Sequence, residues 1–148
     1  MIDCMNEKTV VMNESDTIAH CLDQYTTIAV VGLSPKPHRE SYGVSQVMQR
    51  AGYKIVPINP AAAGSDILGE KVFASLQEAA LEHPIELVNV FRNSEDVPPV
   101  VADAIAVGAK AIWLQLGIVN DAAMQEAQKA GLLTVQNRCI KVEWARRR

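Results

Sequence analysis

Five short apolar runs alternate with helix-like segments along this chain, and no other feature restricts its fold as much. Each run is five to seven residues long and apolar almost throughout, which is typical of strands in a parallel sheet covered on both faces. Right-handed crossovers leave few ways to connect such strands. The sequence therefore predicts an α/β fold with a mainly parallel, doubly wound sheet, its first strand central and helices on both faces. The predicted strands are Thr27–Leu33, Tyr53–Ile58, Glu86–Phe91, Lys110–Leu116 and Leu132–Gln136.

The segments between the strands have the spacing and the ends of helices. Ser75 is followed by Glu78 three residues later, which predicts a capped helix start, and Ser94 is the expected cap of the next helix. We expect a loop at Asn59–Gly69. The predicted helices are Asn13–Gln24, Tyr42–Ala51, Ser75–Leu81, Asn93–Val107 and Asp121–Ala130.

Length and charge predict one domain and argue against a nucleic-acid partner. With 148 residues, of which 49% are hydrophobic, the chain can close a single core, so we expect one Rossmann-like domain over residues 1–148. It would comprise a leading helix at about 13–24, a core at about 27–143 and a solvated basic tail at 144–148. The net charge of −3 does not suit a broad nucleic-acid surface.

The cysteines and the apolar runs predict a cytoplasmic protein without a membrane span. Cys4, Cys21 and Cys139 are odd in number and widely spaced, and Asp3 and Glu7 interrupt the N-terminal segment where a signal peptide would be apolar. No apolar run approaches the roughly 18 residues that cross a bilayer. We expect a reducing cytoplasm and no membrane partner.

A ligand of such a sheet binds beyond the carboxyl ends of its strands, so candidate site residues can be taken from the five strand exits. These exits are richer in polar, glycine and proline residues than plain connections require. The candidates are Gly32, Ser34, Pro57, Asn59, Pro60, Phe91, Arg92, Gln115, Gly117, Asn137 and Cys139.

The first turn is unlike the fingerprint of nicotinamide dinucleotide sites. After Gly32, the positions that should be glycine are Ser34 and Pro37. The end of the second predicted strand has no acidic residue for a ribose, and the turn has no Walker spacing. The missing glycines and the missing acidic residue argue against a dinucleotide site. The missing Walker spacing argues against nucleoside triphosphate hydrolysis.

What the first turn does offer is a place for a pyrophosphate at a helix start. Ser34, Lys36, Arg39 and Ser41 supply two hydroxyls and two cations there. Gly32 is expected to let a phosphate approach closely, so that a larger residue would abolish binding and leave the fold intact.

Several motifs together resemble the small bacterial CoA-binding proteins, which resemble in turn the CoA-binding domain of the succinyl-CoA ligase alpha subunit. The similarity runs from about Thr27 to Glu143, and the joint order of the motifs is specific although each alone is weak. The motifs are Ile28–Gly32, Lys36–Tyr42, Val56–Pro60, Ile67–Gly69, Val90–Glu95, Trp113–Gly117 and Asn137–Cys139.

The resemblance implies a Rossmann-like fold that binds coenzyme A across the strand ends. The first-turn residues Gly32, Ser34, Lys36, Arg39 and Ser41 would take the pyrophosphate. By the same resemblance, Pro57, Asn59 and Pro60 would line the adenosine side, and Phe91 and Arg92 would lie beside the adenine or ribose. The turn Asn137–Cys139 corresponds to the ligase turn near which the thiol arm is expected.

The sequence departs from these relatives at two places. Relatives often have a cation after the second strand that could pair with the 3′-phosphate, whereas this chain has Ala61–Gly64 there. Either Arg39 or Arg92 substitutes, or the affinity is low. Small relatives commonly have Asp where this chain has Asn137, which removes a charge beside Cys139.

No catalytic constellation stands out. His20, His38 and His83 have no neighbouring carboxylate and serine that we can place, and no His or Cys pair has the spacing of a metal site. Cys139 follows Arg138, which would favour a thiolate, and is either reactive towards CoA or an inert thiol. We expect a non-catalytic carrier, sensor or partner module for coenzyme A or acyl-CoA. The alternatives are an NAD(P)-binding oxidoreductase-type domain and an interaction domain with a degenerate pocket.

Overall fold

The computed structural model describes residues 12–147, so Cys4 and Arg148 lie outside the described residues. The strands are β1 (Thr27–Val31), β2 (Lys54–Ile58), β3 (Asp66–Ile67), β4 (Glu70–Lys71), β5 (Leu87–Val90), β6 (Ala111–Leu114) and β7 (Leu133–Val135). The helices are α1 (Glu14–Gln24), α2 (Glu40–Arg50), α3 (Leu76–Ala80), α4 (Val97–Ala106), α5 (Asp121–Lys129) and α6 (Ile140–Arg146). None of these helices has the length and apolar character that a bilayer crossing requires.

The main sheet has the predicted five parallel strands, in the order β2-β1-β5-β6-β7. The sequence predicted that the first strand is central. In the structure β1 does lie inside the sheet, but the middle strand is β5. The chain passes from β1 outward to β2 and then crosses back to β5 on the other side of β1. In such sheets ligands bind where the connections diverge, here at the carboxyl ends of β1 and β5.

Hydrophobic clusters cover both faces of the sheet, which confirms the doubly wound α/β fold. Successive residues of a strand point to opposite faces. Ala29 and Val31 join the cluster with α3, α4 and α5, whereas Ile28 and Val30 join the cluster with α1, α2 and α6. Because every residue of β1, β5 and β6 is buried, these strands are mostly apolar instead of alternating, with Thr27 and Asn89 as their only polar residues.

The chain after β7 forms helix α6, which was not predicted, although residues 145–147 at its end are exposed as expected of a solvated tail. Ile140 and Glu143 are buried on one side of the helix. Arg146 pairs with Glu143 at 3.0 Å, and Arg147 pairs with Asp23 of α1 at 2.6 Å. Arg147 therefore attaches the end of α6 to the first helix, whereas Arg146 pairs within α6.

Two further local predictions need correction, and one is confirmed. Asn59–Gly69 contains a 3₁₀ turn and β3, which forms an antiparallel hairpin with β4, so it is not a plain loop. Ser94 does not cap a helix: it lies in a 3₁₀ turn before α4, and its hydroxyl accepts a hydrogen bond from Val119 N at 3.0 Å. Ser75 does cap α3, since its hydroxyl accepts from Glu78 N at 3.1 Å.

Glu86 ties the start of β1 to the start of β5. Its Oε1 accepts hydrogen bonds from Thr26 N and Thr27 N, both at 2.9 Å. Burial by itself raises the pKa of Glu86, but these hydrogen bonds and the charge of Lys110 outweigh it and hold the pKa below its usual value. The charged carboxylate therefore stabilises the folded state.

We expect Glu86→Gln to lower the free energy of unfolding by about 1 kcal/mol at neutral pH, because the two backbone N–H groups would then donate to a neutral amide oxygen instead of a charged, partly exposed carboxylate. Since the folded-state pKa lies below the unfolded one, this stabilisation is present above the unfolded-state pKa and is lost as the pH falls through the folded-state pKa. Urea unfolding between pH 7 and 3 should thus show that the free energy of unfolding falls less with decreasing pH in the variant than in the wild type. Glu126→Gln, at an exposed ion pair, is the control; equal pH curves for wild type and Glu86→Gln would contradict this role.

Candidate functional site

A cleft of about 680 Å³ lies at the carboxyl ends of β1, β5 and β6. Its walls come from three strand exits and from the start of α2, as the exit argument predicts for a sheet of this order. The predicted site residues that line it are Gly32, Ser34, Arg39, Ser41, Phe91, Arg92, Gln115 and Gly117. The fold thus brings together residues from three separate parts of the sequence.

Gly32 is required by the protein backbone itself. Its φ is +91°, and a Cβ atom there would lie 2.4 Å from the carbonyl oxygen of Phe91. Gly32 N donates to Ile58 O at 2.9 Å, which keeps the turn between the exits of β2 and β5. Besides the expected approach of a phosphate, the backbone thus gives a second reason for glycine here, and we expect its replacement to destabilise the fold as well.

Two serine hydroxyls shape the turn that enters α2. Ser41 Oγ accepts a hydrogen bond from Ser34 N at 3.0 Å, and Ser34 Oγ accepts from Lys36 N at 3.1 Å. Each hydroxyl keeps its own proton for donation to another group. Arg39 occupies the N-cap position of α2 without a capping side-chain hydrogen bond.

The start of α2 gives this end of the cleft a positive potential. The dipole of α2 favours an anion at the helix start, and Arg39 adds a full charge there. Glu40 also lines the cleft and offsets part of this charge. Lys36 is exposed in the turn and does not line the cleft.

The residues predicted at the exit of β2 lie outside the main cleft. Pro57 is buried within the strand. Asn59 binds protein backbone: its Nδ2 donates to Leu33 O at 2.9 Å and its Oδ1 accepts from Ala61 N at 3.0 Å. Pro60 lines a smaller cleft of about 220 Å³ beside α4, together with Asp96 and Asp103. Arg92 lines both clefts and so connects them.

Asn137 and Cys139 line a third cleft, of about 420 Å³, next to the main one. Asn137 has a left-handed backbone with φ of 59°, and its Oδ1 accepts from Gly117 N at 2.7 Å. This bond fixes the exit of β7 against the exit of β6, so that the third cleft borders the main one. It gives Asn137 a structural role that the sequence analysis missed.

The two described thiols are buried, and two of the three histidines pack against aromatic rings. Burial raises the pKa of the Cys21 thiol to about 12. Arg138, whose charge was expected to act on buried Cys139, pairs with Glu14 and with Glu143. His20 packs edge-on against Tyr25 and His83 against Phe73, whereas His38 is exposed in the turn before α2. Among residues 12–147, no group of three metal-ligating side chains comes together.

Further residues in the loops just beyond β5 and β6 line the cleft although they were not among the predicted site residues. Asn93, Ser94 and Glu95 line the cleft after Arg92, and Leu116 and Ile118 line it on either side of Gly117. Asn120 Nδ2 donates to Ser94 O at 3.0 Å and holds the two loops together. Their position next to predicted exits was the available signal.

A doubly wound parallel sheet with a single-glycine first turn, a helix start and a cleft at the switch point defines a Rossmann-like domain with a candidate ligand site. The sequence confirms and narrows this class. The chain belongs to the CoA binding domain family, whose sequence profile matches residues 26–145.

Proteins of known sequence or structure agree with this assignment. The chain is 42% identical over 128 residues to the uncharacterized protein YneT of Bacillus subtilis, covering 86% of this chain and 92% of YneT. A solved structure from Thermus thermophilus superposes with a TM-score of 0.83 at 32% identity, covering 91% of this chain and 98% of that one. A hypothetical protein from Pyrococcus horikoshii gives a TM-score of 0.83 at 35% identity, covering 89% and 90%.

Proposed function

We propose that this protein binds coenzyme A or an acyl-CoA in the main cleft and acts as a carrier, sensor or partner module without catalysis of its own. The observation that carries the proposal is the cleft at the β1–β5 switch point in a chain of the CoA binding domain family. One end of the cleft has Arg39 and two serine hydroxyls at a helix start, which suits a pyrophosphate.

The proposed ligand runs through the main cleft and the two clefts that border it, the smaller one at Pro60 and the third one at Cys139. The pyrophosphate lies at the start of α2, and the adenosine end extends past Arg92 towards the smaller cleft at Pro60. The pantetheine arm runs in the other direction, past Gln115 and Gly117 towards the cleft with Cys139. A long ligand with a polar middle and two different ends fits this arrangement.

Two observations support a coenzyme A site over a nicotinamide site, and one supports a binding role. The exit of β2 carries Asn59, whose amide is bonded to protein backbone, where a dinucleotide site needs an acid for the ribose. The first turn has one glycine in place of three. His20 and His83 pack against aromatic rings of the core instead of lining the cleft, which supports a binding role.

Isothermal titration of the purified protein with CoA, acetyl-CoA and NAD tests this proposal. We expect CoA or acetyl-CoA to bind about tenfold or more tightly than NAD. Stronger binding of NAD would favour the oxidoreductase-type domain. Absence of heat with all three ligands at millimolar concentration would favour an interaction domain with a degenerate pocket.

A further inference from the structure

Gln115 is a buried polar residue in the floor of the main cleft. It follows β6 directly, is 2% exposed and lines the cleft beside Gly117. Its Oε1 accepts a hydrogen bond from Ile140 N at 2.9 Å, at the first residue of α6. The side chain therefore joins the cleft floor to the start of the last helix.

This hydrogen bond fixes the orientation of the amide. A backbone N–H can only donate, so the side chain must turn its oxygen to Ile140 and its nitrogen the other way. Gln115 Nε2 then has no hydrogen-bond partner among the described residues, and the atom itself is buried. Native proteins seldom bury a donor without a partner, so a buried unpaired donor on a residue that lines a cleft indicates an acceptor that reaches it when a bound ligand displaces the groups that cover it.

The surroundings of Gln115 indicate what kind of acceptor this is. The charged residue Arg39 and the hydroxyls of Ser34 and Ser41 lie at the α2 end of the cleft. The lining residues that follow Gln115 along the chain are Leu116, Gly117 and Ile118, which carry no side-chain charge, whereas Arg92 and Glu95 line the cleft from the β5 exit. A neutral donor among aliphatic groups suits a carbonyl oxygen on a mostly apolar arm better than it suits a phosphate.

We propose that Gln115 Nε2 donates a hydrogen bond to a carbonyl oxygen of the ligand's arm and so makes the cleft selective for ligands that carry that arm. The acceptor is an amide of pantetheine or the carbonyl of an acyl thioester. This inference rests on the proposed function, because it assigns the arm of a coenzyme A-type ligand to this end of the cleft.

Gln115→Glu tests the donor while it keeps the acceptor for Ile140 N. We expect acetyl-CoA, which carries both kinds of carbonyl, to bind about tenfold more weakly, and the affinity for adenosine 3′,5′-bisphosphate, which lacks the arm, to change by less than about twofold. Gln128→Glu, on α5 and outside the main cleft, is the matched change of charge and should alter neither affinity. Gln115→Met removes donor and acceptor at similar volume; we expect the same selective loss together with a lower thermal midpoint.

An NMR titration of the wild-type protein tests the same hydrogen bond without a substitution. The Gln115 side-chain NH₂ signals in a ¹⁵N NMR titration should shift with acetyl-CoA and stay in place with the bisphosphate. A shift that is equal with CoA and acetyl-CoA assigns the acceptor to pantetheine, and one seen only with acetyl-CoA assigns it to the thioester; both support the proposal. Binding of CoA and of acetyl-CoA without a shift in either case, or an equal loss of acetyl-CoA and bisphosphate affinity in Gln115→Glu, would overturn it alone. A wild-type protein that binds neither ligand would overturn the proposed function with it.

Discussion

Replacement of Gly32 by alanine is expected to lower the free energy of unfolding by about 3 kcal/mol. Two effects add at this position. A left-handed φ of +91° is unfavourable for a residue with a Cβ, and that Cβ would lie 2.4 Å from the carbonyl oxygen of Phe91. Because Phe91 O belongs to the backbone, relief requires that the exits of β1 and β5 separate. Urea or thermal unfolding monitored by circular dichroism measures the effect.

Gly131→Ala is the matched control for this prediction. Gly131 has a φ of +95°, close to that of Gly32, but a Cβ there has no neighbour within 4 Å. The Gly131→Ala variant should lose only about 1 kcal/mol of the free energy of unfolding, which is the cost of the left-handed backbone conformation for a residue with a Cβ. The difference between the variants isolates the contact with Phe91. Equal losses would show that the β1–β5 junction tolerates a side chain and that only the backbone conformation requires glycine.

Replacement of Arg92 by alanine is expected to weaken CoA about tenfold more than dephospho-CoA, which lacks the 3′-phosphate. Arg92 lines both the main cleft and the smaller cleft at Pro60, where we place the adenosine end. Its Nη2 lies 3.8 Å from Asp96 Oδ2, and the side chain is 43% exposed, so the guanidinium is held only weakly. The loop Ala61–Gly64 supplies no other cation there.

Arg39→Ala provides the comparison, because Arg39 lies at the start of α2 where we place the pyrophosphate. It should weaken CoA and dephospho-CoA by the same factor. Lys36→Ala, an exposed charge of the same turn outside the cleft, should change either affinity by less than about threefold. If Arg39→Ala discriminates between the ligands and Arg92→Ala does not, the 3′-phosphate belongs to Arg39. If neither variant loses affinity, the ligand binds elsewhere.

The elements with strong local signals were predictable from the sequence. β1 lies within its predicted range, and α3 begins after the predicted cap Ser75 because both signals come from a few adjacent residues. α6 was missed because Ile140 and Glu143 are only three residues apart in a short, basic segment that also reads as a tail. Its helical conformation depends on packing against the rest of the chain, since seven residues are too few for a stable isolated helix.

The site was predictable as a location and less so as a set of residues. Gly32, Phe91 and Gln115 line one cleft because parallel strands end at the same edge of a sheet. Asn59 and Asn137 were read as ligand-binding residues from the same rule, yet their amides bind backbone at Leu33 O and Gly117 N. An asparagine at a strand exit serves a turn or a ligand equally well, so its position along the chain does not decide between them.

The sequence by itself determined the class of fold, the order of the main elements and the edge of the sheet where a ligand binds, because the periodicity of apolar residues and the residues at element ends act over a few neighbours. Only the tertiary structure decided that β5 is the middle strand, that Gly32 faces Phe91 and that Gln115 has one buried donor without a partner among the described residues. Each of these depends on contacts between residues more than twenty positions apart, such as Gln115 with Ile140. Such contacts form only when the chain has folded, and no local pattern encodes them.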